Sequence, residues 1–157
     1  MKNWIHLSDI HYIRSVGEKD LRENLLNKLE AINNEKKIDY LFITGDFRHA
    51  GEQKDIDNKL IIKETVSFIK KVCDRLELSD KIATNVFLVP GNHDIERDGE
   101  LINVVRTIRD RDFDPLSESQ FTEREKEYLN SKLSFFDELE SQLYGKEIGG
   151  KKKRKSL

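Results

Sequence analysis

Three short segments of this chain end in side chains able to bind a cation or move a proton. They are Trp4-Ile5-His6-Leu7-Ser8-Asp9-Ile10-His11, Asp39-Tyr40-Leu41-Phe42-Ile43-Thr44-Gly45-Asp46-Phe47-Arg48-His49, and Val86-Phe87-Leu88-Val89-Pro90-Gly91-Asn92-His93-Asp94. Asp9 and His11 stand two positions apart, so at an extended strand end both point to one side, where a carboxylate oxygen and an imidazole nitrogen can share a divalent ion. On its own the pair is weak, and a satisfied loop histidine explains His11 better. Asp46 follows a buried apolar run, where a carboxylate is costly without a cationic partner; a metal or a helix-capping role would each account for it. Gly91-Asn92-His93-Asp94 is the sharpest group. Glycine permits a tight turn, Asn92 offers a neutral oxygen, and His93 has Asp94 beside it as an orienting partner. A polar strand-to-loop turn explains Asn92 and Asp94 better than it explains His93.

Arg48 and His49 lie just past Asp46, within reach of a substrate phosphate, and arginine suits bidentate phosphate recognition. A surface loop pair is the competing reading. His6, inside the first apolar run, reads as a core or sheet-face histidine with no part in the chemistry.

These residues need three strand ends brought to one edge. Residues 3–8, Tyr40–Thr44 and Val86–Val89 read as strands, the second apolar throughout, as expected of a parallel sheet covered on both faces. Between the first two, Leu21, Leu25, Leu26, Leu29 and Ile32 recur at helical spacing from Glu18 to about Lys36. Between the second and third, Ile61, Ile62, Val66, Ile69, Val72, Cys73 and Leu76 do the same from about Asp57 to Leu76. That is βαβαβ with right-handed crossovers and its chemistry at the C-terminal strand ends. Helices are expected over residues 99–110 and about 122–144, the latter with Tyr128, Leu129, Leu133, Phe136, Leu139 and Leu143 as its stripe, and Asp114-Pro115 turns between them.

The composition fits this frame. The chain has 157 residues, enough for one domain with a real core; 36% are hydrophobic and 37% charged, which implies broad solvated helix faces. A formal net charge of -2 gives no global attraction to nucleic acid, so that partner is not favoured. The exception is local: Lys151-Lys152-Lys153-Arg154-Lys155, behind Gly149-Gly150, reads as a solvated disordered tail more readily than as a nucleic-acid arm or targeting signal. The single cysteine, Cys73, excludes an internal disulfide and reads as a small buried hydrophobe. No run is long enough to span a bilayer and no signal-peptide pattern opens the chain, so a cytoplasmic location without membrane contact is expected.

Strand-D-x-H, strand-G-D and strand-G-N-H-D, in that order and separated by crossover helices, resemble the calcineurin-like metallophosphoesterases over residues 1 to about 98. The resemblance implies the N-terminal half of an α/β/β/α sandwich, with a mainly parallel sheet. Residues 1–98 would be a partial core, 99–145 a helical cap or insert, and 146–157 a basic tail. It further implies two divalent ions, Mn, Fe or Zn, with Asp9 and His11 on the first, Asp46 bridging both and Asn92 on the second. His93 would contact the scissile phosphate and protonate the leaving oxygen, with Asp94 holding its imidazole. The implied activity is hydrolysis of a phosphomonoester or phosphodiester, with a phosphate ester as substrate.

The chain departs from that pattern after position 93. Its four histidines are His6, His11, His49 and His93, whereas complete family members carry a later histidine and a G-H-x-H segment on a second sheet. Too few ligands remain for two metals. The missing half-domain, or a larger multidomain chain, is therefore an expected partner. The alternatives are an inactive remnant serving as an interaction module, and a nuclease-type phosphodiesterase.

Overall fold

The computed structural model describes residues 1–10, 18–48, 57–96, 98–109 and 121–145. Within them, strands β1 (Trp4–Ser8), β2 (Tyr40–Thr44) and β3 (Val86–Val89) form a parallel sheet in the order β1-β2-β3. Helix α1 (Glu18–Glu35) connects the first pair, and α2 (Asn58–Arg75) leads toward the second. A turn of 3₁₀ helix at Ser79–Lys81 and the single-turn helix α3 (Ile82–Asn85), neither visible in the sequence pattern, complete the return to β3. Helices α4 (Gly99–Arg109), α5 (Glu123–Ser131) and α6 (Ser134–Tyr144) follow. The expected last helix is thus two, broken at Lys132-Leu133. Thr122 opens α5 with a capping box, its hydroxyl accepting from the Glu125 N–H while the Glu125 carboxylate accepts from the Thr122 N–H.

The strand register aligns Ile5 with Leu41 and Leu41 with Val86, then Leu7 with Ile43 and Ile43 with Leu88. These alternate residues share one face. The core joins them to Leu26 and Leu29 of α1, the α2 stripe, and Phe135, Phe136, Leu139 and Leu143 of α6. All seven expected α2 residues are buried, with Cys73 fully enclosed and its thiol pushed up to about 12 by burial. In α1 the outer stripe residues Leu21 and Ile32 are exposed, because the helix meets the core along Leu26 and Leu29, with Leu25 partly buried beside them. Asn33 caps the turn that follows, accepting from the Ile38 N–H.

The opposite sheet face is open, contrary to the expectation of cover on both sides. Trp4 is 63% and Val89 50% exposed, and Phe42 and Phe87 lie between them. Phe42 stacks on Phe87 at 5.1 Å, and Trp4 meets Phe42 edge-on at 6.1 Å. His6 shares this face, its Nε2 2.6 Å from Thr44 Oγ1. The cause is topological. A strand order that always advances in one direction, crossed over with one hand, puts each connecting helix on the same side. Helix α6 then packs on α2 and adds to that layer. No described helix is long and apolar enough to cross a membrane.

Candidate active site

Asp9, Asp46 and Asn92 stand one, two and three residues past the C-terminal ends of β1, β2 and β3. The sheet register pairs Ser8 with Thr44 and Thr44 with Val89, so the three loops leave from one edge. Two of the loops open with the same backbone device: Asp9 has φ 54° and Asp46 φ 42°, both left-handed. Aspartate tolerates that region better than most residues, and such strain concentrates at functional sites. Ser8 Oγ donates to Asp9 Oδ2 at 2.6 Å.

The β2 and β3 loops are tied together through their motif residues. The His93 N–H donates to Asp46 Oδ1 at 2.9 Å, and His93 Nε2 lies 3.7 Å from Asp46 Oδ2. The imidazole and the carboxylate thus face each other across the edge. Gly91 is required by this approach. A Cβ there would fall 2.2 Å from both the backbone nitrogen and Oδ1 of Asp46, and 2.6 Å from Gly45 Cα.

Asp94 is fully buried. Its Oδ1 accepts from the N–H groups of Phe47 at 2.8 Å and Arg48 at 3.2 Å, and its Oδ2 from that of Gly91 at 2.8 Å. The carboxylate therefore fixes the main chain of both loops, and the expected contact with the His93 imidazole is not among its hydrogen bonds. Burial raises its pKa above the ordinary carboxylate range, with the three amides acting in the opposite sense.

Arg48 Nε donates to the His93 carbonyl at 2.7 Å, and its guanidinium lies 4.8 Å over the Phe135 ring. Phe47, fully buried, packs on Phe136 at 6.0 Å. The sequence stripe had included Phe136 but missed Phe135; the adjacent aromatic pair was the available signal that α6 has two faces to cover. His11 and His49 lie outside the described residues. A cavity of about 530 Å³ opens beside this region, lined by Lys59, Glu96, Ser134, Phe135, Glu138 and Gln142 among others. It borders the Phe135 shelf and includes none of the motif residues.

A calcineurin-like phosphoesterase family model matches residues 3–153. The chain belongs to this family. The match runs through the helical region to the basic tail, well past the residue 98 at which the motif resemblance stops. A curated relative, an uncharacterized metallophosphoesterase-like protein of Bacillus subtilis, is 33% identical over 96 residues. The alignment takes in 60% of this chain and 18% of the relative, so the chain spans less than a fifth of that protein's length. No solved structure matches.

Metallophosphoesterases act through divalent metals, and the donor types on this edge suit them: carboxylate oxygens of Asp9 and Asp46 and the amide oxygen of Asn92. Among the described residues, however, no three His, Cys, Asp or Glu side chains converge on one point. In donor chemistry and placement, Asp9, Asp46 and Asn92 would suit part of a metal shell.

Proposed function

We propose that this chain carries the phosphate-facing edge of a metal-dependent phosphoesterase. The observation that carries the reading is the pairing of Asp46 and His93 across two strand-end loops, at 2.9 Å through the main chain and 3.7 Å between side chains. Asp9, His11, Asp46 and Asn92 would hold divalent metal, which supplies a water of lowered pKa and positive charge against the phosphoryl oxygens. His93 contacts the phosphate and delivers a proton to the oxygen that leaves as the ester P–O bond breaks. Asp94 keeps the loop bearing His93 in register with the loop bearing Asp46. Arg48 stands close enough to His93 to meet the same phosphate group, and His49 is assigned to that loop with it.

The test is hydrolysis of a chromogenic aryl phosphate with Mn²⁺ by wild type and Asp46→Asn, in this chain and in the longest natural form of the protein. Wild type should turn over, and Asp46→Asn should lose at least about 100-fold, because Asp46 would hold the metal through a charge that a neutral amide does not carry. Equal turnover in both proteins would sink the mechanism. A second reading, a non-catalytic module, draws on the sequence, which carries no histidine after His93. It predicts no metal-dependent turnover in any natural form of the protein.

A further inference from the structure

Hydrogen bonds from Asp46, Asp94 and Arg48 join the β2 and β3 loops, four of them around His93 and the residues after Asp46. The His93 N–H is held by Asp46 Oδ1, the N–H groups of Phe47 and Arg48 by Asp94 Oδ1, and the His93 carbonyl by Arg48 Nε. The peptide groups on either side of the His93 Cα are thereby both fixed from the β2 loop. Three of these bonds involve a short aspartate side chain and a main-chain N–H. The fourth depends on a long, rotamer-rich side chain, which holds one geometry only if something supports it.

That support comes from α6. The Arg48 guanidinium carbon lies 4.8 Å from the centroid of the Phe135 ring, within cation–π range, and Phe135 is itself buried. The next residue, Phe136, packs against Phe47, the residue before Arg48. Two consecutive aromatics of α6 thus meet two consecutive residues after Asp46. Helix α6, part of the region read as a helical cap or insert, thus braces the loop after β2.

We infer that Arg48 is a positioning residue: braced on Phe135 of α6, it holds the His93 carbonyl and so sets where the His93 imidazole stands relative to Asp46. The inference rests on the phosphoesterase reading for its consequence in catalysis, while its physical content is a property of the metal-free chain. It also separates Arg48 from a simple phosphate contact. A side chain that works through the His93 main chain affects the imidazole before any substrate is present.

The experiment is amide hydrogen exchange by NMR on the metal-free chain, with the His93 imidazole ¹³C–¹H resonances recorded alongside. In Arg48→Met, exchange at His93 and Asp94 should rise roughly tenfold relative to amides of α1, as expected for the loss of one charge-assisted hydrogen bond. The imidazole resonances should shift from their wild-type positions. Arg48→Lys, which keeps a donor and a cation over the ring, should restore part of both effects. Phe135→Leu, which keeps apolar volume and removes the shelf, should reproduce the Arg48→Met pattern with Arg48 intact. Wild-type exchange and imidazole positions in Arg48→Met would overturn the inference. So would an equal acceleration across α1, α2 and the β3 loop, which marks general loosening. None of these readouts needs turnover, so a failed Asp46→Asn test leaves them standing and their failure leaves that test standing.

Discussion

Gly91 shows how little freedom the strand-end edge has at single positions. It accepts no side chain because the β2 loop occupies the space a Cβ would take, with Asp46 nitrogen and Oδ1 both at 2.2 Å. Main chain cannot rotate out of the way as a flexible side-chain end can. Gly91→Ala should therefore destabilise the chain by about 1–3 kcal/mol in urea denaturation, within the range for overpacked sites. It should also separate Asp46 from His93 and remove metal-dependent turnover. Gly99→Ala is the matched control. Nothing lies within 4 Å of a Cβ there, and Gly99 is the first residue of α4, so the substitution should leave stability unchanged or raise it by up to ~1 kcal/mol. Equal losses at the two glycines would contradict the role of close loop approach. The Gly91 requirement was half legible: Gly-Asn-His-Asp signalled a tight turn, but not that a second loop crosses it.

At the scale of elements, a small electrostatic clasp joins the start of α4 to the end of α5. Asp98 accepts from the Leu101 N–H at 2.8 Å, from Tyr128 Oη at 2.5 Å and from Lys132 Nζ at 2.6 Å. Lys132 above all, then Tyr128 and the Leu101 amide, holds the Asp98 carboxyl well below the usual carboxylate range. Folding thus lowers the proton affinity of Asp98. Its contribution is fully present above the unfolded value of about 3.9 and is lost as pH falls from there toward the lower folded value. The site is solvent-exposed, so the effect should be local. Intrinsic-rate-corrected exchange at Leu101 should rise as pH falls below about 4 in wild type, and Asp98→Asn should flatten that dependence. A wild-type profile in Asp98→Asn would place the acid sensitivity elsewhere.

The same scale shows where sequence reasoning succeeds. The α2 stripe is legible at Ile61, Ile62, Val66, Ile69, Val72, Cys73 and Leu76 because that helix lies between α1 and α6, whereas Phe68, buried as well, falls outside it. The break between α5 and α6 went unread because Leu129 and Leu133 keep the helical spacing across it. The Arg48–Phe135 brace was beyond reach, since no local pattern pairs residues so far apart in the chain.

For the whole molecule, the decisive feature is a sheet whose described helices pack on one side. The run Tyr40–Thr44 looked like a strand buried on both faces, and its composition is indeed apolar throughout, yet Phe42 faces outward beside Phe87, Trp4 and Val89. An apolar face of this kind is unusual on a solitary domain and ordinary on a domain that packs against more protein. The two faces should therefore respond differently to substitution in this chain. Ile43, fully buried on the helix face, should cost about 2–5 kcal/mol when changed to alanine. Phe87→Thr, which keeps strand propensity and loses the exposed stacking with Phe42, should cost about 1 kcal/mol or less. Urea denaturation measures both, and sedimentation velocity should show less self-association for Phe87→Thr than for wild type. Equal costs for Phe87→Thr and Ile43→Ala would overturn the reading of an open face.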